Sequence, residues 1–218
     1  MKISDLYNLP SFRARCPEIK LGQNVCHLVN SGFPHYSMSK YDPFIEKHIK
    51  KTHKPQSIMP LKMKLSGERP VPDCPSYVYF RDLFDYIRKF HFFNCHESSL
   101  LAELVLKMNN IKNSYTASVY NGDAGIDHVV CIFNRDGSQY DGKVKNNQTI
   151  IVDPWAGICD FANNVFKEYE GFWSENFEID KMYAVQGNGK YNFRNVKSMK
   201  ISDEELDMLK NMGLNFNL

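Results

Sequence analysis

From Ser76 onward the apolar positions of the chain fall into regular periods. Between Tyr77 and Phe90 they recur at 79, 80, 83, 84, 87 and 90, a spacing that predicts an amphipathic helix. A second helix is predicted to begin at Cys95, with Leu100, Leu101, Leu104, Val105, Met108 and Ile111 along one face. Three strands are predicted next, at 115–120, 128–134 and 149–153. Turn-forming residues separate them: Asn121-Gly122-Asp123, then Arg135-Asp136-Gly137 and Asp141-Gly142. A helix near 161–169 and a strand at 182–186 follow, and Ser202-Asp203-Glu204-Glu205 announces a closing helix with a capping box. Helices first and antiparallel strands after predict an α+β fold.

The first 75 residues read differently, because prolines 10, 17, 34, 43, 55, 60, 70, 72 and 75 fall there out of the ten in the chain. Proline removes a backbone donor and breaks helix interiors and central strands. Turns, edge pieces and short helices are therefore expected, one of them at 43–51 with Pro43 in its first turn. Residues 1–75 are read as an arm packed on a domain formed by residues 76–218, one globular unit overall.

Composition narrows the function classes. The chain has 218 residues, 43% hydrophobic and 13% aromatic, enough to fill a core, so wholesale disorder is excluded. A net charge of +2 gives no strong field, which argues against nucleic-acid binding as the main task. The one basic run, Lys47 to Lys54, is read as a solvated helix face, and Gly187-Asn188-Gly189-Lys190 as a turn. No apolar run approaches the roughly 18 residues of a spanning helix, so no membrane partner is expected. The start, Met1-Lys2-Ile3-Ser4-Asp5-Leu6, is not read as a cleavable signal peptide. The six cysteines include no Cys-x-x-Cys pair and are expected to be reduced cytosolic thiols.

One of those thiols has a chemical setting. In Asn94-Cys95-His96-Glu97, Asn94 suits an N-cap and Glu97 can reach back to its amide. Cys95 then sits in the first helical turn, where free amides and the helix dipole favour a thiolate. Elsewhere, pairing the strand at 128–134 antiparallel with that at 149–153 can oppose His128 to Asp153, Val130 to Ile151 and Ile132 to Thr149. Opposed residues lie roughly 4.5–5.5 Å apart, suited to an imidazole held by a carboxylate. A nucleophile needs a base, and the base needs an acceptor that fixes its tautomer. Taken singly, each of the three has a plainer reading: a buried thiol, a surface imidazole and an Asp-Pro turn.

The order Cys95, His128, Asp153, with a helix after the cysteine and the ending Ile151-Val152-Asp153-Pro154-Trp155, resembles the papain-like/transglutaminase-like superfamily of cysteine enzymes. Within it the chain looks most like bacterial effector and toxin domains that are glutamine deamidases, transglutaminases or cysteine proteases. The resemblance spans roughly residues 90–157 and does not cover the proline-rich arm. It implies a nucleophile-bearing helix packed on an antiparallel sheet, with Cys95 as nucleophile, His128 as general base and then acid, and Asp153 as orienter. It further implies acyl transfer from a glutamine carboxamide of a host protein. A cysteine protease with the same triad and a non-catalytic binding module on the same fold remain the alternatives. Papain-like proteases place an oxyanion-binding glutamine shortly before the nucleophile, and none stands between Cys74 and Cys95. Asn94 and His91 are the positioning candidates, and Trp155 and His96 the candidates for the cleft. Trp173 is read as core or cleft wall. The polar segment 135–148 is read as a substrate-facing flap. No cofactor and no metal is expected, since Cys131 should face away from His128 on its strand. The likeness places the protein in the bacterial cytoplasm before delivery into a host cell. Asp203-Glu204-Glu205 resembles some secretion tails, and the oligomeric state is left open.

Overall fold

The computed structural model describes residues 16–32, 77–90, 94–121, 128–145, 147–176 and 191–211. The expected helix at 43–51, the basic run, the strand at 182–186 and the turn at 187–190 lie outside the described residues. Three helices come first: α1 (Pro17–Gly32), α2 (Tyr77–Phe90) and α3 (Cys95–Met108). Strands β1 (Ser114–Asn121), β2 (His128–Asn134), β3 (Thr149–Asp153) and β4 (Ile158–Phe161) follow. Then come α4 (Ala162–Asn176), β5 (Tyr191–Lys197) and α5 (Asp203–Asn211). The strands form one sheet in the order β4-β3-β2-β1-β5, with every neighbouring pair antiparallel. The architecture is α+β. Among the described residues no helix is long and apolar enough to cross a membrane.

Alternation along the strands divides the core between two faces. Cys131, Phe133, Ile150, Val152, Cys159 and Phe161 meet the apolar faces of α1, α2, α3 and α5. Ala117, Val119, Val130, Ile132, Ile151 and Phe193 point the other way, toward Ala162, Val165 and Tyr169 of α4. The sheet is therefore the middle of three layers, and both of its faces are dry over β2 and β3.

Strands β4 and β5 were not expected from the sequence, and two further features differ from that expectation. Proline density in the first 75 residues argues against a long helix, yet α1 runs for 16 residues. It fills the window between Pro17 and Pro34, with Pro17 at its first position, where a missing N–H loses nothing. Gly22 lets this helix approach the sheet: a Cβ there would stand 2.3 Å from Cys159 Sγ and 3.1 Å from a Val152 methyl. The second difference is register. Ile132 opposes Ile151 and Asn134 opposes Thr149, so β3 is displaced by two residues from the pairing that opposes His128 to Asp153. A slip of one residue would have sent those two side chains to opposite faces, whereas a slip of two keeps them together.

Candidate functional site

Cys95 is the first residue of α3, and the helix start is built as its sequence suggests. The Asn94 amide donates to Glu97 Oε2 at 2.9 Å, and Glu97 is buried in spite of its charge. Two hydroxyls secure the next turn, Ser98 Oγ donating to the Cys95 carbonyl at 2.9 Å and Ser99 Oγ lying 2.7 Å from the same oxygen. Ser99 Oγ also stands 2.8 Å from the Val129 carbonyl. That second contact ties the helix start to the start of β2. Pairing between β2 and β3 runs from Cys131 to Asn134 along β2, so Val129 lies beyond its end.

His128 opens β2 and Asp153 closes β3, which brings both to one end of the sheet. His128 Nε2 and Asp153 Oδ2 are 2.7 Å apart, with both side chains almost fully buried. Given the observed register they are diagonal neighbours, which lie roughly 7–8 Å apart at the backbone, and an imidazole spans the difference. Cys95 acts on the same imidazole electrostatically and adds to the raising of its pKa. Burial pushes the His128 pKa down, but the Asp153 carboxylate, with a further contribution from Cys95, outweighs it and raises the value from 6.5 to about 10.

The segment after β3 is both a turn and a clamp. Asp153 Oδ1 accepts the Ala156 amide at 3.1 Å, and the Gly157 amide donates to the Pro154 carbonyl at 3.2 Å. Gly157 takes φ 74°, a left-handed conformation that favours glycine. The turn signal in Asp153-Pro154 and the contact with His128 thus coexist, because each is made by a different carboxylate oxygen. Trp155, 5% exposed, lies with its ring centroid 5.1 Å from that of His128. Helix α1 braces the turn from below: Asn30 Nδ2 donates to the Pro154 carbonyl at 2.8 Å, and Cys26 Sγ stands 3.5 Å from the Ile158 carbonyl.

Of the described cysteines, Cys16, Cys26, Cys131 and Cys159 are buried and Cys95 alone is partly exposed. Burial pushes the thiols of Cys131 and Cys159 up, which keeps them protonated and inert. Cys131 belongs to the opposite face of the sheet from His128, and among the described residues no cluster of three or more His, Cys, Asp or Glu could hold a metal ion. His96 is exposed beside Cys95. His91 lies outside the described residues, as does the side chain of Trp173. Asn94 remains beside Cys95 with its main-chain amide taken by Glu97, so only its side-chain amide could serve an oxyanion.

One expectation is overturned. The segment 135–148 joins the far ends of β2 and β3, the opposite ends from His128 and Asp153. Seven residues of strand, at about 3.3 Å each, separate it from the imidazole by roughly 20 Å. It cannot be a flap over this site. One residue was missed: Tyr169 of α4 donates its hydroxyl to Asp153 Oδ2 at 2.5 Å. Its sequence signal is an apolar stripe of Ala162, Val165, Phe166 and Tyr169, which reads as ordinary core. No family model matches this chain, and neither a curated protein nor a solved structure matches it.

Proposed function

We propose that this protein is a cysteine-dependent acyl-transfer enzyme acting on a glutamine carboxamide of a protein substrate, of the deamidase or transglutaminase type, on a papain-like/transglutaminase-like core. The observation that carries the reading is an imidazole held 2.7 Å from a buried carboxylate, with a partly exposed thiol at a helix start acting on that same imidazole. That is the arrangement a nucleophile, a base and an orienter require.

The chemistry follows from the geometry. The Cys95 thiolate attacks the carboxamide carbon, and the negative charge passes to oxygen, where the first amides of α3 provide donors and the Asn94 side chain a second candidate. The tetrahedral species collapses as the His128 imidazolium gives its proton to the departing nitrogen, which releases ammonia and leaves a thioester. His128, now neutral, takes a proton from water, or from an amine, as that nucleophile attacks the thioester. The carboxylic acid or the new amide departs and the thiolate returns. Asp153 holds the ring and its tautomer throughout.

Delivery into a host cell as a bacterial effector rests on the family likeness. The acidic run gives it no support, since Asp203, Glu204 and Glu205 form the first turn of α5. There Ser202 and Glu205 exchange capping bonds of 2.8 and 3.2 Å. The test is mass spectrometry of a host-cell lysate incubated with the purified chain. One-dalton gains at glutamine, accompanied by ammonia and absent with Cys95→Ala, are expected; fresh N-termini in their place would make the enzyme a protease. A lysate left unaltered, or altered equally by Cys95→Ala, would end the proposal.

A further inference from the structure

We propose that Tyr169 is a positioning residue of this site: its hydroxyl orients the Asp153 carboxylate and moderates the pull of that carboxylate on His128. The inference rests on the acyl-transfer reading and deepens it. Asp153 has two oxygens with separate duties. Oδ1 accepts the Ala156 amide at 3.1 Å, while Oδ2 is shared by His128 Nε2 at 2.7 Å and the Tyr169 hydroxyl at 2.5 Å. A core tyrosine needs only some acceptor for its hydroxyl. Tyr169 takes the one oxygen that also holds the base, and its ring stands edge-on to the imidazole, with centroids 5.7 Å apart and planes at 90°. One side chain thus contacts both the base and its orienter.

The surroundings keep the phenol a donor. Tyr169 is fully buried, and burial together with the Asp153 charge holds its proton firmly. The titratable groups facing it are Asp153 from β3, His128 from β2, Cys26 from α1 and Cys95 from α3. Among the described residues these groups include no fixed cation, and the imidazole and the phenol meet at the same carboxylate oxygen. Two donors on one oxygen compete for its charge. A weaker tyrosine donor strengthens the hold on imidazolium, and a stronger one relaxes it.

That competition predicts shifts of opposite sign, which a tyrosine serving as packing alone would not produce. The test measures the carboxymethylation rate of Cys95 by iodoacetate between pH 5 and 11, in the full chain. Attack by this anion depends on the neighbouring positive charge, so the alkaline limb of the profile reports loss of the imidazolium proton. Tyr169→Phe, which removes the donor, is expected to move that limb up by about half a unit. Replacing Tyr169 by 3-fluorotyrosine, a stronger donor differing by one atom, is expected to move it down. Should Tyr169→Phe fail to fold, the fluorinated protein decides alone. A parent profile with the limb, unchanged in the fluorinated protein, would overturn the role of Tyr169 and leave the acyl-transfer reading standing. A parent profile without the limb would overturn both.

Discussion

Asp153 divides its two oxygens between a turn and the His128 imidazole, and the second contact has a consequence for the stability of the fold. The folded protein holds the His128 proton up to about pH 10, whereas the unfolded chain releases it near 6.5. Counting His128 alone, the folded state above pH 6.5 binds one proton that the unfolded chain does not. Stability from this pair is complete below that pH and declines as pH rises toward 10, by up to about 1.4 kcal/mol per unit. The buried thiols of Cys131 and Cys159 act in the same direction, but only above about pH 8.5, where an unfolded thiol ionises. Urea unfolding between pH 6.5 and 8.5 in a Cys95→Ala background, which takes the neighbouring thiol out of the proton balance, reads the histidine: that protein should lose stability across the window, and its Asp153→Asn version should lose far less. Equal slopes in the two proteins would remove the ion pair from the account. At this scale the sequence was informative where chemistry is local. Asn94, Cys95 and Glu97 declare a capped helix start, and His128 and Asp153 stand at the ends of strands with clear patterns. Tyr169 was hidden because its neighbours Val165 and Phe166 make it look like one more core position, and only the fold brings its hydroxyl to Asp153.

Among the elements, β2 and β3 matched their sequence periods from end to end. Their register was not legible, because an alternating pattern fixes which face a residue takes and leaves shifts of two residues undetermined. Strand β4 was missed since it is only four residues long, directly after a turn. Helix α1 was missed because proline density was weighed over the whole arm, whereas what matters is the gap between successive prolines. That helix bears on the site through Asn30 and Cys26, which reach the turn after Asp153. Gly22 is the point where α1 can be pried from the sheet. Gly22→Ala should destabilise the fold by about 1–3 kcal/mol, the usual range for overpacking, because its methyl would collide with Cys159 Sγ. Cys159→Ala in the same chain removes the colliding atom and should recover part of the loss. Urea unfolding of the single and double variants measures both, and a Gly22→Ala protein as stable as the parent would show that α1 does not pack this closely.

Over the whole molecule, three layers meet at one end of the sheet, and each contributes to the site. Helix α3 brings the thiol from one face, the sheet brings His128 and Asp153, and α4 brings Tyr169 from the other face. The α+β class was legible from the order of the elements, while the placement of segment 135–148 required topology: an antiparallel hairpin must put its connection at the end opposite the strand termini that carry His128 and Asp153. The decisive measurement is the rate at which iodoacetamide alkylates Cys95 at pH 6, in the parent and in His128→Gln, read by mass spectrometry of the labelled peptide. An imidazole able to take the proton of a neighbouring thiol makes that sulfur a faster nucleophile than an unassisted one. The parent should therefore react about tenfold faster or more than the variant. Equal rates in the two folded proteins would mean that the imidazole does not activate this sulfur, and would contradict the catalytic account.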